Sequence, residues 1–192
     1  MPRTKTGWTG PGYKLPSPGA TGVTLMASRF IRFYELMRRD YFTLDVRGID
    51  WVEEGGSPAT PTVVIDFEGP ADELEARLTG ADGELLAAGQ TDVALRLQGD
   101  VNDEETIGVV SVTNRVTGDF VLELNEEAGD VLRFIRAART YGKRSDSDER
   151  YRVIIRIDGE ELTTYGKSTF LVYDREGSLL RQHSLIPSGV EL

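Results

Sequence analysis

An α+β fold, made mainly of antiparallel β-hairpins and sheets with one amphipathic helix at about residues 126–141, is predicted by three observations. Apolar residues recur with a period of two through most of the chain after Tyr41. Turn dipeptides such as Asp82-Gly83 and Asp158-Gly159 punctuate those runs as hairpin connections do. A single stretch, opening at Asn125, shifts to the 3.6-residue period of a helix.

Taken in order, Phe42, Leu44 and Val46 alternate with Thr43, Asp45 and Arg47, and Gly48 permits a bulge before Ile49 and Trp51 return to the apolar side. Val63, Ile65 and Phe67 share one face of the next strand. Leu74, Ala76 and Leu78 repeat the alternation and predict another, running into a turn at Asp82-Gly83. Val93, Leu95 and Leu97 follow, then an acidic loop over residues 100–105. Residues 107–113 and 119–124 pair around Asn114-Arg115-Val116-Thr117-Gly118. The helix takes Asn125 as N-cap, with Glu126 and Glu127 in its first turn, where carboxylates complement the helix dipole. Ala128, Val131, Phe134, Ile135, Ala138 and Tyr141 fall on one arc that packs on a sheet, and Gly142 is the predicted stop. Residues 145–149 read as a solvated acidic loop. Two hairpins close the chain. One runs through Tyr151, Val153, Ile155 and Ile157 to Asp158-Gly159, and the other from 169–173 through Asp174-Arg175-Glu176-Gly177 into 178–186, ended by Pro187-Ser188-Gly189.

Charge is unevenly distributed. The chain has 22 basic and 32 acidic residues, but residues 1–36 hold five basic and one acidic, leaving 17 against 31, a net −14, in residues 37–192. Arginines outnumber lysines 18 to 4, and only Lys143 and Lys167 lie in the acidic body. Molar salt screens charges to a Debye length of about 3 Å, which removes the repulsion that dense carboxylates would otherwise cause. The composition therefore reads as that of a salt-adapted, cytoplasmic, haloarchaeal protein. Residues 1–36, rich in Gly, Pro, Thr and Ser over 1–22, read as a disordered extension, with the native start expected at Met37, where the composition changes. Residues 37–192 read as one β-rich domain, with two lobes, 37–125 and 126–192, as the open alternative.

The absence of cysteine excludes disulfides, thiolate metal sites and thiol catalysis. No apolar run reaches the 18 residues of a membrane span. Arg38-Arg39 has the look of a twin-arginine export signal, but Asp45, Arg47 and Asp50 stand where an uncharged apolar stretch is required.

Three segments carry a resemblance: Met37-Arg38-Arg39-Asp40-Tyr41-Phe42-Thr43-Leu44, the run from Ser111 to Asn125, and Phe170-Leu171-Val172-Tyr173-Asp174-Arg175-Glu176-Gly177 with Ser184 to Val190. They resemble an uncharacterised haloarchaeal family, a domain of unknown function, over about residues 37–192. The resemblance implies lineage and length, assigns no activity or site residue, and covers none of residues 1–36.

No catalytic residue, metal ligand or cofactor site is predicted. His183 is the only histidine, so a two-histidine metal site is impossible, and Ser184 beside it on a strand would point to the opposite face. Asp66 and Glu68 share a strand face that reads as solvated. Asp146-Ser147-Asp148-Glu149 lacks the glycine and terminal bidentate Glu of a calcium loop, and no glycine-rich phosphate fingerprint occurs. The feature that stands against the acidic background is a row of Arg133, Arg136 and Arg139 on the polar side of the helix. It reads either as a partner-binding surface for carboxylates or phosphates, or as charges that complement the helix end and nearby acids. The leading expectation is a non-catalytic interaction or ligand-binding protein with a protein partner, and no direct nucleic acid or membrane. The alternative is a small-molecule hydrolase or isomerase using carboxylates in a cleft.

Overall fold

The computed structural model describes residues 37–187, Glu104 apart. The reading of residues 1–36 as an extension, and the stop at Ser188-Gly189, lie outside the described residues.

Among the described residues, eight strands form two mixed sheets. The first has the order β1 (Phe42–Arg47), β2 (Thr62–Phe67), β6 (Tyr151–Ile157), β7 (Glu160–Lys167), and the second β5 (Phe120–Glu127), β4 (Ile107–Asn114), β3 (Thr91–Leu97), β8 (Leu171–Tyr173). Four neighbours are antiparallel: β4–β5 and β6–β7, the two pairings the sequence predicts, and β1–β2 and β3–β4, whose strands it predicts without assigning partners. Two pairings, β2 with β6 and β3 with β8, are parallel and join segments far apart in the chain, so no hairpin signal announces them. The fold is α+β and β-rich, as expected, with more helix than predicted.

Both sheets turn apolar faces into one buried cluster. Val63, Ile65 and Phe67 of β2 and Val153 and Ile155 of β6 meet Val93, Leu95 and Leu97 of β3 and Leu122 and Leu124 of β5, so the cluster draws on both sides of position 125. Burying a Leu, Ile or Phe side chain contributes about 1.5–3 kcal/mol, which makes this cluster the main source of stability. Tyr151 is fully buried, donates to Thr169 O at 2.7 Å and takes the edge of Phe134 at 5.4 Å between ring centroids.

Three segments depart from the sequence reading. Residues 71–78 are a helix, α2 (Ala71–Leu78), not a strand. Leu74, Ala76 and Leu78 alternate, but Leu74 and Leu78 are also four apart, one helical turn. Both are fully buried while Ala76 is exposed, and Pro70 at the N-cap with Asp72 and Glu73 in the first turn favours the helix. Asp82-Gly83 does make a turn, with Gly83 N donating to Gly80 O at 3.0 Å, and it joins an isolated bridge between Thr79 and Leu85 instead of two strands. Trp51 opens a single helical turn, α1 (Trp51–Glu54), instead of resuming a strand, because its indole Nε1 donates to Gly48 O at 2.7 Å and Ala59 O at 3.1 Å. In the last hairpin only β8 is regular. Ser178 onward returns through bridges at Leu179 and Leu185, with a turn at Arg181, Gln182 and His183.

The main helix, α3, spans Ala128–Arg144, shifted from the predicted 126–141 at both ends. Asn125 and Glu126 remain in β5, paired with Val109 and Gly108, so Glu127 is the N-cap residue. Gly142 does not end the helix. A Cβ there would lie 2.2 Å from Arg150 Cδ, and the Arg150 guanidinium donates to Gly142 O, so glycine serves a close approach.

Candidate functional site

The polar side of α3 and the β1 edge of the first sheet enclose an open cleft of about 570 Å³. Among the described residues β1 is the outermost strand of its sheet, with β2 on one side only. Leu44 and Val46 of β1, Ile49, and Val52 of α1 form an apolar wall, and Val52 is 40% exposed. Ala137, Thr140, Arg133 and Arg136 face them from α3. Five acids, Asp45, Asp50, Glu53, Glu126 and Asp130, line the same cleft beside the two arginines.

The walls are tied at the far end of the helix. Thr60 Oγ1 donates to Tyr141 Oη at 2.9 Å, and the Arg144 guanidinium lies 5.6 Å from the Trp51 ring, a cation–π contact. These contacts tie α1 and the approach to β2 to the end of α3.

The helix divides the predicted arginine row. Arg133 pairs with Asp130 one turn back. Arg139 turns away and donates to Gln182 O at 3.0 Å and Ser184 O at 2.7 Å, so its guanidinium fastens the C-terminal return to the helix. Arg136 is exposed, and among the described residues its guanidinium has no ion pair or hydrogen-bond partner, while its carbonyl accepts from Thr140 Oγ1 at 2.9 Å. Two of the three therefore share the cleft. Glu126 lies in it as well, partly buried, and its carboxyl is held above the usual carboxylate range by desolvation and by the charges of Asp130 and Glu127, against a hydrogen bond from Glu127 N.

Elsewhere the polar side chains serve the fold. Asp66 accepts from Gly159 N at 3.0 Å and braces the turn between β6 and β7, while Glu68 is exposed. Ser184 is buried, donating to Leu180 O and accepting from Val172 N, and His183 sits on a turn instead of the expected strand. Residues 145–149 form no regular element, and Glu149 stands 3.7 Å from Arg152. Among the described residues no group of three or more Asp, Glu or His is placed to hold a metal, and no helix is long and apolar enough to cross a membrane.

The sequence reading missed one internal cation. Lys167 is 9% exposed, and its ammonium donates to Ala88 O at 2.7 Å and to Thr91 O. Desolvation pulls its pKa below the ordinary lysine value, with the nearby Asp92 carboxylate opposing. Its rarity was the available signal: in a body that uses arginine almost throughout, a compact ammonium survives where it must fit between the carbonyls of Ala88 and Thr91 and the Thr91 hydroxyl.

Residues 37–192 match the model of a family described as a family of unknown function (DUF5793). No curated protein and no solved structure matches the chain.

Proposed function

Since the chain belongs to the family of unknown function DUF5793, we propose its role from the cleft itself: a non-catalytic interaction protein of a haloarchaeal cytoplasm that receives an extended segment of a protein partner between β1 and α3. The observation that carries this reading is the combination of an outermost strand, an apolar wall and an unpartnered Arg136 in one open cleft. An edge strand offers unpaired backbone groups to an added strand, and the apolar wall offers contacts to alternate side chains of that strand. Arg136 is the anchor for a single carboxylate. A run of acids on the partner would meet Asp45, Asp50 and Glu53 and be repelled. Arg133 and Arg139 support the site through Asp130 and the C-terminal return.

Affinity capture with the full chain in molar KCl tests this. The Arg136→Gln protein should keep its melting temperature and lose a partner that the parent retains. Binding of that partner should also slow hydrogen exchange at the β1 amides. A partner set unchanged by Arg136→Gln, or β1 amides untouched on binding, would refute the reading.

Glu126 favours one second reading, a small-molecule hydrolase or isomerase, because a carboxyl with a raised pKa in a cleft is suited to proton transfer. That reading predicts that Glu126→Gln abolishes turnover of a small substrate while leaving protein capture intact.

A further inference from the structure

A trough on the solvent face of the second sheet is lined by more arginines than acids, in a body where acids predominate. Since Val93, Leu95 and Leu97 are buried, Ala94 and Arg96 of β3 point outward. Register sets Tyr173, Arg96, Val109 and Asn125 side by side across the four strands. The next row is Leu171, Ala94, Ser111 and Glu123, whose small central side chains leave a trough of about 700 Å³. Phe120, 53% exposed, stands beyond Ser111 on β5, opposite Thr113.

Three arginines line this trough, Arg39, Arg96 and Arg175, against two acids, Asp92 and Glu123. Both acids have nearer cations: Glu123 is 3.5 Å from Arg39, and Asp92 is 4.0 Å from Arg115. Arg96 donates to Arg175 O at 3.1 Å, which places the two residues together, and among the described residues neither guanidinium has an acid within ion-pair distance. In a body with 31 acids to 17 cations, two adjoining arginines with no ion pair among the described residues stand out, even though Asp174 and Glu176 flank Arg175 in sequence.

We infer that this face docks an acidic, extended protein segment of a partner, at a surface separate from the cleft of α3. Carboxylates meet the forks of Arg96 and Arg175, where bidentate pairing survives salt better than long-range attraction. Apolar side chains between those carboxylates rest on Val109, Tyr173 and Phe120. A nucleic-acid strand fits less well. Its unbroken phosphates would run past Asp92 and Glu123 on a body of net −14, and molar salt removes the counterion-release driving force.

The test uses the full chain in molar KCl and a fluorescein-labelled Glu-Leu-Glu-Leu-Glu peptide followed by anisotropy. Saturable binding is expected, weakened on the order of tenfold or more by combined Arg96→Gln and Arg175→Gln, reduced by Phe120→Ser, and unchanged by Arg152→Gln, an exposed arginine outside both surfaces. Should the double variant lose its circular dichroism, Arg175→Gln alone, at a side chain with no bond among the described residues, must still weaken binding. The inference is overturned by absence of binding or by equal binding of the lysine counterpart. It is overturned as well if oligothymidine binds and loses that binding on the same substitutions, which would make the face a nucleic-acid surface.

Discussion

Replacing Gly142 by alanine should destabilise the protein, against the usual rule for a helix interior. In an open helix the change stabilises by about 0.8–1 kcal/mol, because glycine loses more backbone entropy on folding. Here the new methyl group would overlap the Arg150 side chain, so its guanidinium has to swing away from Gly142 O. Its hydrogen bond to Gly142 O leaves with it, and a bond from a charged donor contributes about 1.5–3 kcal/mol. The loss exceeds the gain by about 0.5–2 kcal/mol. Urea unfolding in molar KCl, followed by circular dichroism, measures the difference. The cycle with Arg150→Ala is decisive: once the arginine is gone nothing occupies the space, and Gly142→Ala should become stabilising. A stabilising Gly142→Ala in the parent, or the same effect in both backgrounds, would refute the argument that this glycine serves the approach of Arg150.

Three further outcomes follow from burial and charge. Leu78→Ala should cost about 2–5 kcal/mol, since Leu78 is fully buried, and a loss under 1 kcal/mol by urea unfolding would place α2 outside the core. Dilution from molar to about 0.1 M KCl lengthens the Debye length from about 3 to about 10 Å, so a body of net −14 should melt at a much lower temperature by circular dichroism. Equal melting temperatures would defeat that expectation. The third outcome is a stability profile in alkali. Lys167 titrates lower folded than unfolded, so the unfolded chain binds more protons between the depressed pKa and about 10.4, and stability rises with pH across that window. Tyr151 and Tyr165, both raised by burial, act in the opposite sense: above about pH 10 the unfolded chain gives up protons that the folded one keeps, and stability falls. Lys167→Met should abolish the rise and keep the fall, and a rise that persists in the variant would exclude Lys167 as its source.

Much of the fold was legible because antiparallel neighbours are close in sequence and alternate cleanly. The strands around Asn114 and around Asp158-Gly159 need only their own residues to specify a face and a turn. The parallel contacts were not legible. Val63 pairs in register with Val153, and Leu95 with Val172, but each strand alone reads the same whether its neighbour is parallel or antiparallel. At Leu74 and Leu78 the two periods coincide, and burial decides between them only once a core exists to receive both leucines.

The candidate surfaces show the same division between local and distant information. Helical spacing nominates Arg133, Arg136 and Arg139 as one row, but only Arg133 and Arg136 line the cleft. What each guanidinium does is set by chain that meets it from elsewhere. The return from Leu180 to Leu185 brings the carbonyls of Gln182 and Ser184 to Arg139, while β1 leaves Arg136 facing a cleft. Arg96 and Arg175 are 79 positions apart and adjoin only because β8 enters the second sheet parallel to β3. A charge pattern along one helix can thus nominate residues, but whether an arginine is structural or free depends on which distant carbonyls and acids the topology supplies. In a chain where acids outnumber bases, a guanidinium that topology leaves without an acid is the more informative signal. Arg136, Arg96 and Arg175 are therefore the positions at which to separate binding from folding.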